Sequence, residues 1–189
     1  MKNNLVIILI SSALSLFYVG CLNDCKNYKP ENNYNSINQE NLKRVPYSGY
    51  DTITFIRNNN DTITFFGTGK KKVIIVEDGD LGACGHTTLE YNDNYQFNFF
   101  SNSIQDKVVI EIRFPNYLDF YFLGKRFVSH LGDLREPFDF PKIEISNSTY
   151  FNITRILSQS QDTLYYNNEI GIIKFGFQNG EQWTLIKNK

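Results

Sequence analysis

Few residues in this chain are of a type that does covalent chemistry, and their spacing decides what they could do. Three cysteines (Cys21, Cys25, Cys84) and two histidines (His86, His130) are the whole stock of soft ligands and imidazole bases. Cys84-Gly85-His86 sets a nucleophile beside a base in sequence. Such pairs work by geometry and need a third group to orient the base, which adjacency does not supply. The Cys and His positions lack the spacing of a zinc centre, so no metal site is expected. Glu77-Asp78-Gly79-Asp80 gathers three carboxylates around a glycine. A full calcium loop is absent there, and the segment reads as a polar turn between strands. Lys70-Lys71-Lys72 reads as a solvated turn or a strand edge guarded by lysine. No nucleophile elbow, phosphate loop or cofactor fingerprint appears, so no cofactor is expected and an enzyme is the least favoured reading.

Cys21 stands apart because of what precedes it. Lys2 carries a positive charge, Leu5 to Val19 is uncharged and mostly apolar, and small Gly20 follows. As a helix the apolar run reaches about 22 Å, short of the ~30 Å hydrocarbon core. Residues 1–20 are therefore expected to be a signal peptide. Phe17-Tyr18-Val19-Gly20-Cys21 resembles the lipobox of bacterial lipoproteins, with Tyr18 where leucine is usual. The resemblance implies that Cys21 is acylated and becomes the first residue of the mature chain, attached to the membrane by its lipid. An ordinary signal peptide or an anchor helix is the alternative. Cys25 and Cys84 would then share an oxidising compartment and could pair as a disulfide; two free thiols are the other possibility. Only Asp24 represents the acidic run that surface-exported lipoproteins of this kind carry after the cysteine. The expected location is thus the outer membrane, facing the periplasm.

Loss of Lys2 with the signal peptide takes the net charge from −1 to −2. Without a basic excess, nucleic acid is not an expected partner. Leu22 to Arg44 is rich in Asn, Lys and Glu, so residues 21–45 read as a lipidated N-terminus and flexible tether, with a turn or two of helix at Ser36 to Arg44. A single β-rich domain is expected over 46–189.

The elements that must position any site are strands. Sixteen Phe and twelve Tyr against one Met and one Trp favour sheet over helix. Asp51-Thr52-Ile53-Thr54-Phe55 recurs ten residues later as Asp61-Thr62-Ile63-Thr64-Phe65. Each alternates, and the asparagines at 58–60 suit a hairpin loop between them. Further strands are expected at 72–77, 87–91, 95–101, 107–114, 142–145, 150–157, 162–166, 170–177 and 182–186. Short turns between them imply an antiparallel meander forming a curved sheet, barrel or sandwich. Phe120, Leu123, Phe127, Leu131 and Leu134 follow helical spacing, although 120–123 also reads as a buried strand. A short helix is expected over 127–134. At Asn179-Gly180, a two-residue turn would pair Gly176 with Trp183. A longer loop pairing Phe177 with Trp183 and Phe175 with Leu185 gathers the apolar residues on one face and is preferred.

Asp51-Thr52-Ile53, Asp61-Thr62-Ile63 and Asp162-Thr163-Leu164 resemble the acceptor motif for O-glycosylation in Bacteroides-type bacteria. That resemblance marks Thr52, Thr62 and Thr163 as candidate acceptors; β-propensity alone also explains Asp-Thr at a strand start. The ending, Tyr150-Phe151-Asn152-Ile153, Leu164-Tyr165-Tyr166, Gly171-Ile172-Ile173-Lys174-Phe175 and Asn179-Gly180-Glu181-Gln182-Trp183-Thr184-Leu185, resembles that of many uncharacterised lipoproteins of the Bacteroidetes. It covers about the last quarter of the chain. It implies a source and an envelope address, not an active site. The functional expectation is a non-catalytic binding module whose concave, aromatic face takes an apolar, glycan or protein ligand. A structural or accessory envelope protein is the alternative, and an enzyme of unrecognised type the third. Tyr91, Tyr95, Tyr117 and Tyr121 are the rings expected to stay partly exposed.

Overall fold

A computed structural model describes residues 32–58, 60–81, 87–134, 138–145 and 147–188. Cys21, Cys25, Cys84 and His86 lie outside these, as do the expected signal peptide and residues 21–31 of the expected tether. The chain is all-β, as its alternation implies. Its strands are β1 (Asn33–Asn35), β2 (Thr52–Arg57), β3 (Asp61–Leu81), β4 (Thr87–Phe100), β5 (Lys107–Arg113), β6 (Tyr117–Phe122), β7 (Lys125–His130), β8 (Phe140–Ile145), β9 (Ser148–Leu157), β10 (Thr163–Asn167), β11 (Gly171–Gly176) and β12 (Gln182–Asn188). One four-residue helix, α1 (Gln39–Leu42), opens on Asn38, whose side chain accepts from the Glu40 amide at 2.9 Å. Among the described residues no helix is long and apolar enough to cross a membrane.

The strands form one antiparallel sheet in the order β7-β6-β5-β4-β3-β2-β12-β11-β10-β9-β8, with β1 paired to β4. The sheet curls until β7 meets the end of β9 at a single bridge, Phe127 to Ser158, and it does not close. Two compact units divide the described chain, one holding Asn35–Ile75 and Asn92–Lys189, the other the outer ends of β3 and β4 (Val76–Tyr91) with Tyr34. In the larger unit, period-2 alternation sends Ile53, Phe55, Ile63, Phe65, Phe97, Phe99, Val108, Ile110, Ile112, Leu118, Phe120 and Phe122 inward, all nearly inaccessible. Phe122 lies at the centre, its ring 4.7 Å from Phe175, 4.9 Å from Trp183 and 5.7 Å from Phe65. Tilted and edge-on pairs at these distances each add about 0.5–1.5 kcal/mol beyond area burial. These rings pack on each other and fill the inner side of the sheet.

A second, smaller core lies elsewhere in this unit. Strand β9 pairs with β8 as far as Ile153 and with β10 from Thr154. Asn152, at φ 55°, marks the change. Ile145, Ile153 and Ile173 are buried together there, with Phe140, Tyr150 and Tyr165 packed around them.

Four expectations are corrected. The helix over 127–134 is absent: Lys125–His130 is strand β7, with Phe127 and Ser129 inward, and Leu131 and Leu134 are buried from the turn that follows. Leu123 (φ 49°) and Gly124 (φ 67°) make a two-residue turn between β6 and β7. Both positions of such a turn need positive φ, a requirement asparagine signals and leucine hides. At the C-terminus Phe175 pairs with Trp183 and Lys174 with Thr184, two residues from the preferred register. The loop holds three residues. The Gly180 amide donates to Phe177 O and the Phe177 amide to Glu181 O, both at 2.9 Å, with Gly180 at φ 87°. That is a turn closed by a glycine bulge. The predicted apolar face survives the shift, because two residues restore the same side.

The tether expectation also fails in its last third. Ile37, Val45 and Tyr47 are buried in the main core, and too few apolar residues surround the first two for composition to have shown it. Finally, Glu77, Asp78 and Gly79 continue β3 and are no turn. Glu77 and Asp78 are exposed there, so the period-2 signal that would identify a strand is missing. In the smaller unit the Tyr34 ring stacks on Tyr91 at 4.6 Å.

Candidate binding face on β4 to β7

The register of four strands builds a grid on the outer side of the sheet. Gln96 lies opposite Glu111, Glu111 opposite Asp119, and Asp119 opposite Val128. On one side of this row Asn98, Val109, Tyr121 and Arg126 line up in the same way; on the other, Arg113, Tyr117 and His130. All occupy positions whose chain neighbours point into the core, so alternation alone puts them on one face. Asp119 is the centre of the grid.

Its environment is unusual for a strand surface. Asp119 is fully buried beneath longer side chains. The Arg126 Nη2 donates to its Oδ2 at 2.8 Å and the Tyr121 hydroxyl approaches the same oxygen at 3.3 Å. Arg113 Nε is 2.6 Å away, oriented as an ion pair and not as a hydrogen bond. Every partner converges on Oδ2; Oδ1 is buried and has no donor. An unpaired buried acceptor costs about 1–3 kcal/mol. Each guanidinium also stands over a ring, Arg113 over Tyr117 and Arg126 over Tyr121, both at 5.7 Å. Burial, then the Asp119 and Glu111 charges, raise the Tyr121 phenol above its ordinary range, so it stays a neutral donor. Tyr117 packs edge-on against His130 at 5.5 Å. The Gly132 amide donates to His130 Nδ1 at 3.0 Å, which leaves that ring's proton on Nε2. Glu111 accepts from Gln96 at 2.6 Å, and Gln96 from Asn98 at 3.1 Å.

The face thus offers two guanidiniums, two amides, two phenol rings and the Glu111 carboxylate, held by neighbours over the buried Asp119 carboxylate. It holds no activated nucleophile. What it can do chemically is present directional donors and acceptors around aromatic surface.

A second polar cluster sits at the β9–β10 turn. Asp162 is 1% exposed. It accepts from Ser160 Oγ at 2.6 Å, Ser158 Oγ at 3.2 Å and the Gln178 amide at 2.9 Å, and Lys125 Nζ is 3.3 Å away. Burial alone would raise its pKa, but the hydrogen bonds from Ser160, Gln178, Lys125 and Ser158 together hold it below the ordinary carboxylate range. Both oxygens are satisfied, and they tie three turns together. Lys125 and Arg126 border a shallow groove between β7 and the end of β9.

The candidate acceptors separate by accessibility. Thr62 is exposed on β3, while Thr52 and Thr163 are half-buried. Thr163 lies between β9 and β11, and its hydroxyl donates to Gly176 O at 3.3 Å. The four tyrosines expected to stay partly exposed all do: Tyr117 and Tyr121 lie on the grid, Tyr91 stacks on Tyr34, and Tyr95 is half-buried with one side against the core. Among the described residues no three of His, Cys, Asp and Glu converge as metal ligands. Arg113, Asp119, Arg126, Glu111 and Gln96 were not singled out from sequence. The signal was present in Tyr117-Leu118-Asp119-Phe120-Tyr121-Phe122, whose odd positions are all polar-capable, but helical spacing across 120–134 masked it.

No family model, no curated protein and no solved structure matches this chain.

Proposed function

We propose that this is a lipid-anchored protein of the bacterial envelope that acts by non-catalytic binding through the outer face of β4 to β7. The address rests on the signal design of residues 1–20 and the lipobox ending at Cys21. The binding reading rests above all on Asp119: a fully buried carboxylate with one empty oxygen, roofed by two guanidiniums that stand over two tyrosines. Planar donors and aromatic anchors clustered and pre-positioned by packing are what recognition surfaces use. The filled inner side favours a ligand held outside the sheet over one enclosed within it. That same filled core supports a second reading, a structural or accessory role in an envelope complex.

Hydroxyl-radical footprinting tests the reading. The full chain is compared alone and in detergent-solubilised envelope extract. Oxidation of Tyr117 and Tyr121 should fall severalfold in the extract while Tyr50, 78% exposed, is unchanged. Equal oxidation of all three in both conditions overturns binding through this face.

A further inference from the structure

Resting on that reading, we infer that the occupant of the β4 to β7 face is a neutral oligosaccharide. Three observations carry the inference. The first is charge. Within the three rows of the grid Arg113 and Arg126 are matched by Asp119 and Glu111, so the grid has no net formal charge; Lys107 lies one row beyond it, over Phe100. An acidic ligand would meet two fixed carboxylates, a basic one two guanidiniums; a neutral ligand meets neither cost.

The second is the type of donor and acceptor. A sugar hydroxyl donates and accepts at once, and neighbouring hydroxyls come in pairs. Guanidinium, carboxylate and carboxamide groups present paired planar sites that answer them. Besides its two rings, Val109, Val128 and His130, this face is built of such groups: Arg113, Arg126, Asp119, Glu111, Gln96 and Asn98. Asp119 Oδ1 still lacks a donor, the group that a ligand hydroxyl would supply.

The third is the placing of the rings. Tyr117 and Tyr121 are four residues apart on one strand and on one face. At about 3.3 Å per residue the points where these two side chains leave the strand are about 13 Å apart. Each ring can stack on the C–H face of one pyranose, and the separation asks for a chain of sugars, not one. A purely apolar ligand is disfavoured, since every guanidinium and carboxylate beneath it would be desolvated without a partner.

The test uses full-length protein in detergent on an array of neutral glucans, mannans, xylans and galactans, with polygalacturonate beside them. Trp183 emission reports that each variant is folded. Binding to at least one neutral glycan is expected, about tenfold weaker in Tyr117→Ala and in Tyr121→Ala. Neutral-glycan binding that both variants leave unchanged overturns the assignment to this face. Binding to polygalacturonate alone, weakened by Arg126→Gln, overturns the neutral class. No glycan binding, while envelope extract still protects Tyr117 and Tyr121 from oxidation, overturns the oligosaccharide and leaves the binding face standing. Absence of both effects overturns the two proposals together.

Discussion

The hydroxyl of Tyr47 occupies the space that a Cβ at position 171 would need: built on the Gly171 backbone, that atom would lie 2.1 Å from the phenol oxygen. Tyr47 is buried, and its hydroxyl accepts from the Ile172 amide at 2.7 Å. The segment after α1 is thereby fixed to the start of β11. Gly171 is also at φ 92°, where side chains are strained. Gly171→Ala should destabilise the fold by about 2–5 kcal/mol, strain and overpacking acting together. Tyr47→Phe leaves the Ile172 amide unpaired and should cost about 1–3 kcal/mol. Urea unfolding followed by Trp183 emission measures both, and a Gly171→Ala midpoint equal to wild type would refute the close approach.

The same end of the core predicts an alkaline limit. Burial raises the phenols of Tyr47 and Tyr166 well above their ordinary value near 10, and the Tyr166 hydroxyl donates to Arg44 O at 2.8 Å. In the unfolded chain both lose their protons near pH 10, while in the fold both keep them. Their stabilising contribution is therefore whole below about pH 10 and is lost as pH rises through the folded values. The urea midpoint should drop steeply above pH 10, and Tyr166→Phe should flatten that fall. A midpoint independent of pH between 9 and 11 would count against the burial of these groups.

The fold class was legible because one signal dominated. Ile53, Phe55, Ile63 and Phe65 alternate with Thr, and the structure pairs Ile53 with Phe65 and Phe55 with Ile63 as the repeated pentapeptide implies. Where it failed, a local feature imitated something else. Leu123 takes a left-handed turn position that leucine rarely occupies, so the β6–β7 hairpin looked like part of a helix. Asn179-Gly180 announced a turn but not its length, because a glycine bulge and a two-residue turn use the same residue pair. Ile37 joins the core from a segment too polar to advertise it. The polar positions of β6 were visible in the sequence, but the grid that Asp119 centres was not. It is made by lateral register across four strands, and sequence spacing within any one strand carries no record of register.

Asp162 sets the acid limit in the opposite sense. Its folded pKa is below the ordinary carboxylate value, so its contribution is present above about pH 4 and is lost as pH falls through the folded value. Asp162→Asn keeps the shape but weakens the bonds from Ser160, Gln178 and Lys125, and should cost about 2–3 kcal/mol at pH 7. The deficit should shrink below pH 4, where wild type loses the same charge. A constant difference between the two proteins from pH 7 to pH 2.5 would show that the carboxylate charge is not what holds the turn.

Membrane attachment is expected to depend on Cys21 alone. A thioether-linked diacyl group with an added amide-linked chain binds firmly, since single chains hold only marginally. Cys21→Ala should leave unprocessed precursor or release the protein to the soluble fraction. Cys25→Ser should change neither. Wild-type partitioning of Cys21→Ala, together with an N-terminal peptide lacking acyl mass in the native protein, would remove the lipoprotein assignment.

Glycosylation, where it occurs, should be ordered by access. The three candidate threonines share the Asp-Thr-apolar pattern but not their surroundings. Thr62 is exposed on β3, beside Asp61, which pairs with Arg57 at 2.6 Å. Thr163 is held between two strands with its hydroxyl already donating to Gly176 O, so a sugar there would cost a sheet contact. Thr52 is half-buried at the start of β2. Protein purified from its own cells should therefore carry a glycan mass on the peptide containing Thr62, with less on Thr52 and none on Thr163. Electron-transfer fragmentation assigns the site, and Thr62→Val should remove the mass without shifting the urea midpoint by more than about 0.5 kcal/mol. Unmodified Thr62 beside a fully occupied Thr163 would mean that the sugar is added before the strands pair, and access in the fold would not be the selecting principle.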